Sequence, residues 1–321
     1  MTYSVFGGCL QAEISFDHLL PPSERATPDW TLHEVERLPP LGDATLVGEL
    51  TLEASATLRL LRTNEGYRVE YSDSGTFEVR HKGSLIQWRR GTDPDSAATE
   101  ELARFDLLGR VLPLSLYQNG ILPLHGSAVA LAARDAVAFL APKFHGKSTL
   151  AQALLARGAR LITDDVVAVR FDAPPVLLPG VAHLRLWNDS LGGLGVAAEA
   201  TTQRGAKHIL GPRADRALQR EAAPLAAVYL LVPFSGDGDD GAVQRQQLEP
   251  SPAALSLVRH SRLGELFSGV EAAELFQAAV RLAREVPVYA LRMVRDFDRL
   301  PEVVDQLLEW HVVNPATRAV G

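Results

Sequence analysis

The chain has 321 residues, of which 46% are hydrophobic and 22% charged, and its formal net charge is −7. This length suggests two domains, and this composition excludes a chain that is disordered throughout. The negative net charge gives no electrostatic support for a nucleic-acid partner, and the single cysteine, Cys9, excludes an internal disulfide and a cysteine-rich zinc site.

The start of the chain carries no cationic, apolar signal segment, because Gln11, Glu13, Asp17 and His18 interrupt its apolar residues. The most apolar long stretch, residues 128–141, is too short to span a bilayer. We therefore expect a cytoplasmic protein that makes no contact with a membrane.

The first 95 residues are rich in predicted strands. Polar and apolar side chains alternate between turn residues in four segments, residues 49–52, 67–71, 75–80 and 85–88. No catalytic constellation occurs in this part, so we expect a β-rich packing or docking domain over residues 1–97.

A linker is predicted at residues 93–96. Apolar residues at helical spacing then predict a helix over residues 99–117, which would join the two parts of the chain. We place this connection at residues 98–118 and the second domain at residues 119–321.

The second domain opens with two apolar strands, residues 127–131 and 136–140, and the Arg134-Asp135 pair between them suits a hairpin. An Ala- and Leu-rich helix follows over residues 147–157, with Gly158 as its C-terminal cap. The remaining predicted elements are strands at residues 160–162, 166–170, 225–232 and 288–293, helices at 252–260, 272–284 and 300–310, and a polar loop at 235–241. The whole pattern predicts a mixed α/β fold.

The strongest chemical signal is the segment Ala141-Pro142-Lys143-Phe144-His145-Gly146-Lys147-Ser148-Thr149, between a predicted strand and a predicted helix. Backbone N–H groups at a helix start favour an anion, a lysine reaches the outer phosphates of a nucleotide, and a hydroxyl ligates magnesium. Gly146, Lys147 and Ser148 occupy those positions, although Ala141 replaces the first glycine of the usual pattern. The alternative is an ordinary helix start.

A second signal is the Asp164-Asp165 pair after the predicted strand at residues 160–162. Adjacent carboxylates repel each other and need a cation or hydrogen-bond donors. A magnesium ion on the phosphates of a nucleotide meets that need, and a helix cap or a paired carboxylate is the structural alternative. A third candidate is His125, which precedes the loop at a strand edge and would contact phosphate; a lone histidine is otherwise structural.

These motifs together resemble the catalytic core of HPr kinase/phosphorylase. His125-Gly126, the hairpin, the loop ending Gly146-Lys147-Ser148 and the run from Arg157 to Asp165 follow that family's order. Pro179-Gly180 and Leu184-Arg185-Leu186-Trp187 match HPr-kinase-related proteins, including lasso-peptide kinases. The resemblance implies a phosphate-loop domain similar to that of phosphoenolpyruvate carboxykinase, ATP and Mg²⁺ as cofactors, and transfer of phosphate to a hydroxyl.

The resemblance also implies a role for each matching residue. Lys147 would hold the β- and γ-phosphates, Ser148 would ligate magnesium, and His125 would contact phosphate. Of Asp164 and Asp165, one would bind the metal and the other would accept the proton of the attacking hydroxyl. Further candidates are Arg185 for transferred charge, Lys207 in a basic stretch at residues 204–208, and Lys143, Phe144, His145 and Thr149 around the nucleotide.

The acceptor expected from the resemblance is a serine on a peptide or protein, with a precursor peptide as one candidate, and a homo-oligomer stays open. Two departures weaken the match, because Lys143 replaces the family's serine and Phe144 replaces a glycine. A nucleotide-binding sensor or scaffold without phosphoryl transfer is therefore an alternative, and a small-molecule kinase is another.

Overall fold

The protein is described here by a computed structural model that covers residues 1–52, 56–91, 96–131, 135–181, 183–195, 202–204, 207–210, 218–234 and 241–311. Most of the predicted linker at residues 93–96 and of the predicted loop at residues 235–241 lies outside these residues, as does Arg134 of the hairpin turn. Within the described ranges, no helix is both long and apolar enough to cross a membrane.

The N-terminal part forms an antiparallel-rich sheet that contains eight strands over its described residues. The strands are β1 (Thr2–Val5), β2 (Gly8–Ala12), β3 (Trp30–Glu34), β4 (Thr45–Thr51), β5 (Thr57–Thr63), β6 (Gly66–Tyr71), β7 (Gly75–Arg80) and β8 (Leu85–Arg90). Their order in the sheet is β1-β2-β3-β8-β7-β6-β5-β4. The four segments predicted from alternation correspond to β4, β6, β7 and β8, so the β-rich character of this part is confirmed.

The connecting helix is interrupted, which corrects the prediction of one regular helix over residues 99–117. Helix α1 (Ser96–Asp106) passes through a π-helical turn (Leu107–Val111) into helix α2 (Leu112–Gln118). Pro113 has no N–H, so the Gly109 carbonyl lacks its regular helical partner four residues later. Instead Arg262 Nε donates to the Gly109 carbonyl at 2.6 Å. The turn therefore contacts a side chain that lies 153 residues further along the chain.

The C-terminal part is mixed α/β, as predicted. Its strands are β9 (Leu122–Ala130), β10 (Ala136–Leu140), β11 (Arg160–Arg170), β12 (Val176–Leu178), β13 (Leu184–Trp187), β14 (Thr202–Arg204), β15 (Lys207–Leu210), β16 (Ala223–Pro233), β17 (Val243–Gln247) and β18 (Val288–Met293). Its helices are α3 (Lys147–Ala156), α4 (Asn188–Gly193), α5 (Pro250–Arg259), α6 (Gly269–Glu285) and α7 (Leu300–Trp310). Over the described residues a main sheet has the order β10-β9-β11-β12-β16-β18-β17, in which β10 also pairs with β16. Strands β13-β15-β14 form a separate small sheet.

Both faces of β10 are buried, which explains its uninterrupted apolar sequence. Ala136, Ala138 and Leu140 belong to a large core shared with the N-terminal sheet. Val137 and Phe139 point to the opposite face and join a second core under α3 and α7. The large core also contains Ile86, Trp88 and Ile162, so it includes side chains from both predicted domains. The domain boundaries themselves stay a prediction.

Three neighbouring strands place the predicted phosphate loop. Strand β10 pairs in parallel with β16, and β16 pairs in parallel with β18. The carboxyl ends of these three parallel strands therefore meet at the same end of the sheet. The loop at residues 141–146 leaves β10 at this end and leads directly into α3.

One continuous strand, β11, replaces the two short strands predicted on either side of the carboxylates. Asp164 and Asp165 both pair within it, opposite Ser127 and Gly126 of β9. Successive side chains of a regular strand point to opposite faces. At Asp165, however, φ is +83°, and an irregular register precedes the pair. The two carboxylates consequently line the same cleft.

Candidate functional site

A cleft of about 680 Å³ lies where the loop after β10, the carboxylates of β11 and helix α1 meet. We call it the main cleft. The sequence-predicted candidates in its lining are His125, Lys143 to Thr149, Asp164, Asp165 and Arg185. The fold therefore brings together residues that are up to 60 positions apart in the chain.

The loop at residues 141–146 ends in a helix start of the kind that favours anions. Gly146 caps α3 with φ of +83°, and its carbonyl accepts the first helical hydrogen bond, from the Leu150 N–H at 2.8 Å. The N–H groups in the first turn of a helix have no partner within that helix, and the helix dipole is positive at this end. These two features favour a phosphate group in front of Gly146.

Lys147 lies within this loop and is almost buried, with 8% of its surface exposed. Its ammonium group donates to the carbonyl of Ala141 at 2.8 Å and to that of Pro142 at 3.0 Å. The cation thus lies between the start of the loop and the start of the helix.

Asp164 and Ser148 lie in contact in the cleft. The Ser148 hydroxyl donates to the Asp164 carboxylate, with 3.0 Å to each of its two oxygens. The Ser127 hydroxyl and the Arg185 backbone N–H, at 3.1 Å, also donate to this carboxylate. Asp164 is 5% exposed, and these donors compensate the burial of its charge.

The two oxygens fit a magnesium ion. Mg²⁺ prefers hard oxygen ligands and binds through one or two carboxylates together with phosphate oxygens of a substrate. A hydroxyl on the first turn of α3 and a carboxylate on the adjacent β11 supply that donor set beside the place that favours phosphate.

Asp165 has a different environment from Asp164. Its carboxylate lies 3.2 Å from Arg262 Nη2 and 3.2 Å from His125 Nδ1, and 26% of its side chain is exposed. Burial alone would raise the pKa of Asp165, but the Arg262 guanidinium, the hydrogen bond to His125 and the charge of Arg185 hold that pKa well below its usual range. Asp165 is therefore ionised and faces the cleft.

His125 is held in place by its backbone and by its ring. Its N–H donates to the His260 carbonyl at 2.6 Å, and its Nδ1 lies 3.1 Å from the Asp165 carbonyl. The prediction that His125 lies at a strand edge was wrong, because β9 continues on both sides of it and pairs with β10 and β11. The structure places His125 beside Asp165 in the cleft.

Arg185 also reaches the cleft, through β13. Its guanidinium lies over the ring of Phe105 on α1, 4.6 Å from the ring centroid. A cation fixed against an aromatic face in this way keeps a defined position. Arg185 and Arg262 thus bring two guanidinium groups to the carboxylate pair.

Phe144 adopts the left-handed conformation for which glycine would be the usual residue, with φ of +67°. Phe144 is 64% exposed, and its ring stacks on Trp187 of β13, with 4.8 Å between the ring centroids. Arg295 donates to the Phe144 carbonyl. These contacts offset part of the cost of the conformation, which is about 1–2 kcal/mol for a non-glycine residue.

The other loop candidates have identifiable contacts. His145 Nδ1 lies 2.8 Å from the Lys143 carbonyl, and the Thr149 hydroxyl lies 2.9 Å from that of Ser190 on α4. Lys207 lies in β15 with its backbone opposite Trp187, but its side chain lies outside the described part of the structure, as do Gly205 and Ala206. A role for Lys207 stays a prediction.

Several residues that line the cleft were not found from the sequence, and Arg262 and Asp106 are two of them. Arg262 follows α5 without a motif around it, and only the fold brings it to Asp165 and to the π-helical turn. Burial raises the pKa of Asp106 to about 7, against the hydrogen bond from Ser74 at 2.6 Å. Helical spacing predicted the helix, but it gave no signal that Asp106 at the C-terminal end of α1 would line the cleft.

Comparison with known proteins finds little similarity in sequence. No protein-family model matches the chain, and no curated protein matches it. Among solved structures, the chain is similar to the HPr(Ser) kinase/phosphatase from Coxiella burnetii, with 15% identity over 59% of this chain and 89% of that chain. The TM-score is 0.32, so this similarity carries no argument about function, which has to come from the geometry of the main cleft.

Proposed function

We propose that this protein is a kinase that binds a nucleoside triphosphate, ATP, with Mg²⁺ in the main cleft and transfers the γ-phosphoryl group to a hydroxyl. The observation that carries the proposal is the contact between Ser148 and Asp164 at the start of α3. A hydroxyl and a carboxylate meet there beside a helix N-terminus and a nearly buried lysine. This combination serves a metal-bound phosphate, and an ordinary helix start needs none of it.

The environments of the two carboxylates support different roles. Asp164 shares its oxygens with Ser148, so these two residues would hold Mg²⁺, which neutralises charge on the phosphates. Asp165 faces the cleft between His125 and Arg262, so it would orient the acceptor hydroxyl and accept its proton. The acceptor oxygen then bonds to the γ-phosphorus as the bond to the β–γ bridging oxygen breaks.

Basic groups surround the place where charge develops. Lys147 would exchange its contacts with the Ala141 and Pro142 carbonyls for β- and γ-phosphate oxygens. Arg185 and His125 would contact the transferred group, while Arg262 holds Asp165 ionised and in position. Catalysis of phosphoryl transfer rests mainly on such positioning and charge stabilisation.

The acceptor we propose is a serine hydroxyl on a peptide or protein. The main cleft is large, and one of its walls is helix α1 with Phe105 and Asp106, which leaves room for more than a triphosphate. Mass spectrometry after incubation with Mg·ATP and a serine-containing peptide library tests this acceptor class. Phosphorylation of small polyols alone would favour the small-molecule kinase instead.

The Lys147→Ala variant tests nucleotide binding. We expect its affinity for Mg·ATP, measured by calorimetry, to fall at least about tenfold, equivalent to about 1.4 kcal/mol, because this lysine would contact the β- and γ-phosphates. Lys82→Ala is the matched control, since Lys82 is exposed in the turn between β7 and β8 and lines neither the cleft nor its neighbourhood. Equal affinities in wild type and Lys147→Ala would refute the proposal.

A sensor or scaffold that binds nucleotide without transferring phosphate is the second candidate, and the left-handed Phe144 in the loop favours it. The contacts of Phe144 with Trp187 and Arg295 support the opposite reading, in which the loop is adapted to this residue. The two hypotheses predict opposite changes in nucleotide affinity when the serine and glycine of the family's loop replace Lys143 and Phe144.

The double variant Lys143→Ser with Phe144→Gly separates these readings. We expect its nucleotide affinity to fall severalfold, because the change removes a cation and the stacking on Trp187. Calorimetry with Mg·ATP on the double variant and on each single variant measures the effect. A rise of tenfold or more would show that the natural loop is impaired, and the sensor or scaffold would then be the better description.

A further inference from the structure

A second cavity, of about 460 Å³, adjoins the main cleft along the phosphate loop. The two spaces share one wall, which consists of Phe144, His145, Gly146, Thr149, Trp187 and Ser190. The stacked rings of Phe144 and Trp187 form part of this wall. A ligand held by its phosphates in front of Gly146 can therefore extend past the rings into the second cavity.

The second cavity lies at the carboxyl ends of two of the parallel strands, and much of its lining is apolar. Leu231 and Val232 come from β16, and Met293 comes from β18. Val232 is 37% exposed and Phe297 is 39% exposed, so part of the apolar surface of each faces the cavity. Apolar surface of this kind is available to a flat, uncharged group.

Phe297 is fixed in this cavity by close packing. A Cβ atom added to Gly193 of α4 would lie 2.4 Å from its ring, so only glycine leaves space for the ring there. Two carboxylates, those of Asp189 and Asp296, also line the cavity. They can accept hydrogen bonds from hydroxyl or amino groups, and their negative charge disfavours the binding of an anionic group in this cavity.

We infer that the second cavity binds the base and ribose of the nucleoside triphosphate, with Phe297 and Trp187 packing against the base. This inference rests on the proposed function and adds the location of the nucleoside. A nucleobase is flat and stacks on aromatic rings, and ribose hydroxyls donate to carboxylates, so both kinds of lining have a partner. The shared wall gives the continuity with the phosphate site that the ligand requires.

The experiment compares ATP with inorganic tripolyphosphate, which carries the phosphates without the nucleoside. Calorimetry in Mg²⁺ is expected to show tighter binding of ATP than of tripolyphosphate to the wild-type protein. In Phe297→Ala the ATP affinity should fall at least about tenfold, whereas the tripolyphosphate affinity should stay within about twofold. Val232→Asp, which keeps both rings, should show the same selective loss.

Phe276→Ala is the matched control, because Phe276 is also a partly exposed phenylalanine, at 44%, but lines neither cavity. It should bind both ligands as the wild type does. Equal affinity of ATP and tripolyphosphate for the wild type, or an equal loss of both ligands in Phe297→Ala and Val232→Asp, would overturn the inference while leaving the phosphate site intact. Binding of neither ligand by the wild type would overturn the proposed function and the inference with it.

Discussion

Asp165→Asn is expected to lower the rate of phosphoryl transfer at least about 100-fold while nucleotide binding is kept. Asparagine has nearly the same size and tolerates the left-handed backbone found at this position, with φ of +83°. It cannot accept the proton of the acceptor hydroxyl, and the loss of a general base typically costs a factor of 10²–10⁴. Single-turnover assays with saturating Mg·ATP measure the transfer step directly.

The control for this variant is Asp172→Asn. The side chain of Asp172 is 41% exposed, pairs with Arg170 at the end of β11 and does not line the main cleft, so its charge can be removed without touching the site. Its turnover should equal that of the wild type. Near-normal turnover in Asp165→Asn would contradict the role of Asp165 as proton acceptor.

Asp164→Asn is expected to show an equally large loss of transfer for another reason, the loss of Mg²⁺-dependent nucleotide binding. The carboxylate accepts from the hydroxyls of Ser127 and Ser148 and from the Arg185 N–H. The asparagine amide has one oxygen and an NH₂ group. Its buried NH₂ would lie against groups that now donate to the carboxylate, which would lower the free energy of unfolding by about 1–3 kcal/mol. Calorimetry with ATP in Mg²⁺ and in EDTA measures the metal dependence.

Thermal denaturation is needed beside this measurement, because Asp164→Asn also removes stability. Ser148→Ala takes away the proposed metal hydroxyl and leaves the Asp164 carboxylate with its other donors, Ser127 and Arg185. Both variants should lose the difference in affinity between Mg²⁺ and EDTA. If the wild-type difference persists in both, Asp164 and Ser148 do not hold the metal.

Several parts of the fold follow from local sequence alone. The alternation in β6 and β7, the apolar run of β10 and the helical spacing of α7 predicted these elements, because side-chain periodicity directly reflects strand and helix geometry. The Gly146-Lys147-Ser148 segment was placed correctly between a strand and a helix for the same reason. The mixed α/β class required no information from distant residues.

Local sequence was insufficient to predict secondary structure at two places where residues distant in the chain are in contact. The helix prediction missed the π-helical turn. Pro113 removes the helical partner of the Gly109 carbonyl, but the side chain that replaces this partner belongs to Arg262, 153 residues away in the chain. The prediction of two strands around the carboxylates was also wrong. The polar pair resembles a loop in sequence, yet pairing with Ser127 and Gly126 of β9 keeps it within β11.

The sequence by itself determined which side chains this chain offers: a lysine and a hydroxyl at the start of a helix, and two adjacent carboxylates. Only the tertiary structure distinguished those carboxylates, because neighbours in sequence differ in role only through partners that folding supplies. Asp164 meets Ser148 from α3, whereas Asp165 meets His125 from β9 and Arg262 from the segment after α5. The second cavity beside the loop likewise depends on Trp187, Val232 and Phe297, which lie far apart in the chain and become neighbours only when β13, β16 and the residues after β18 pack around α3.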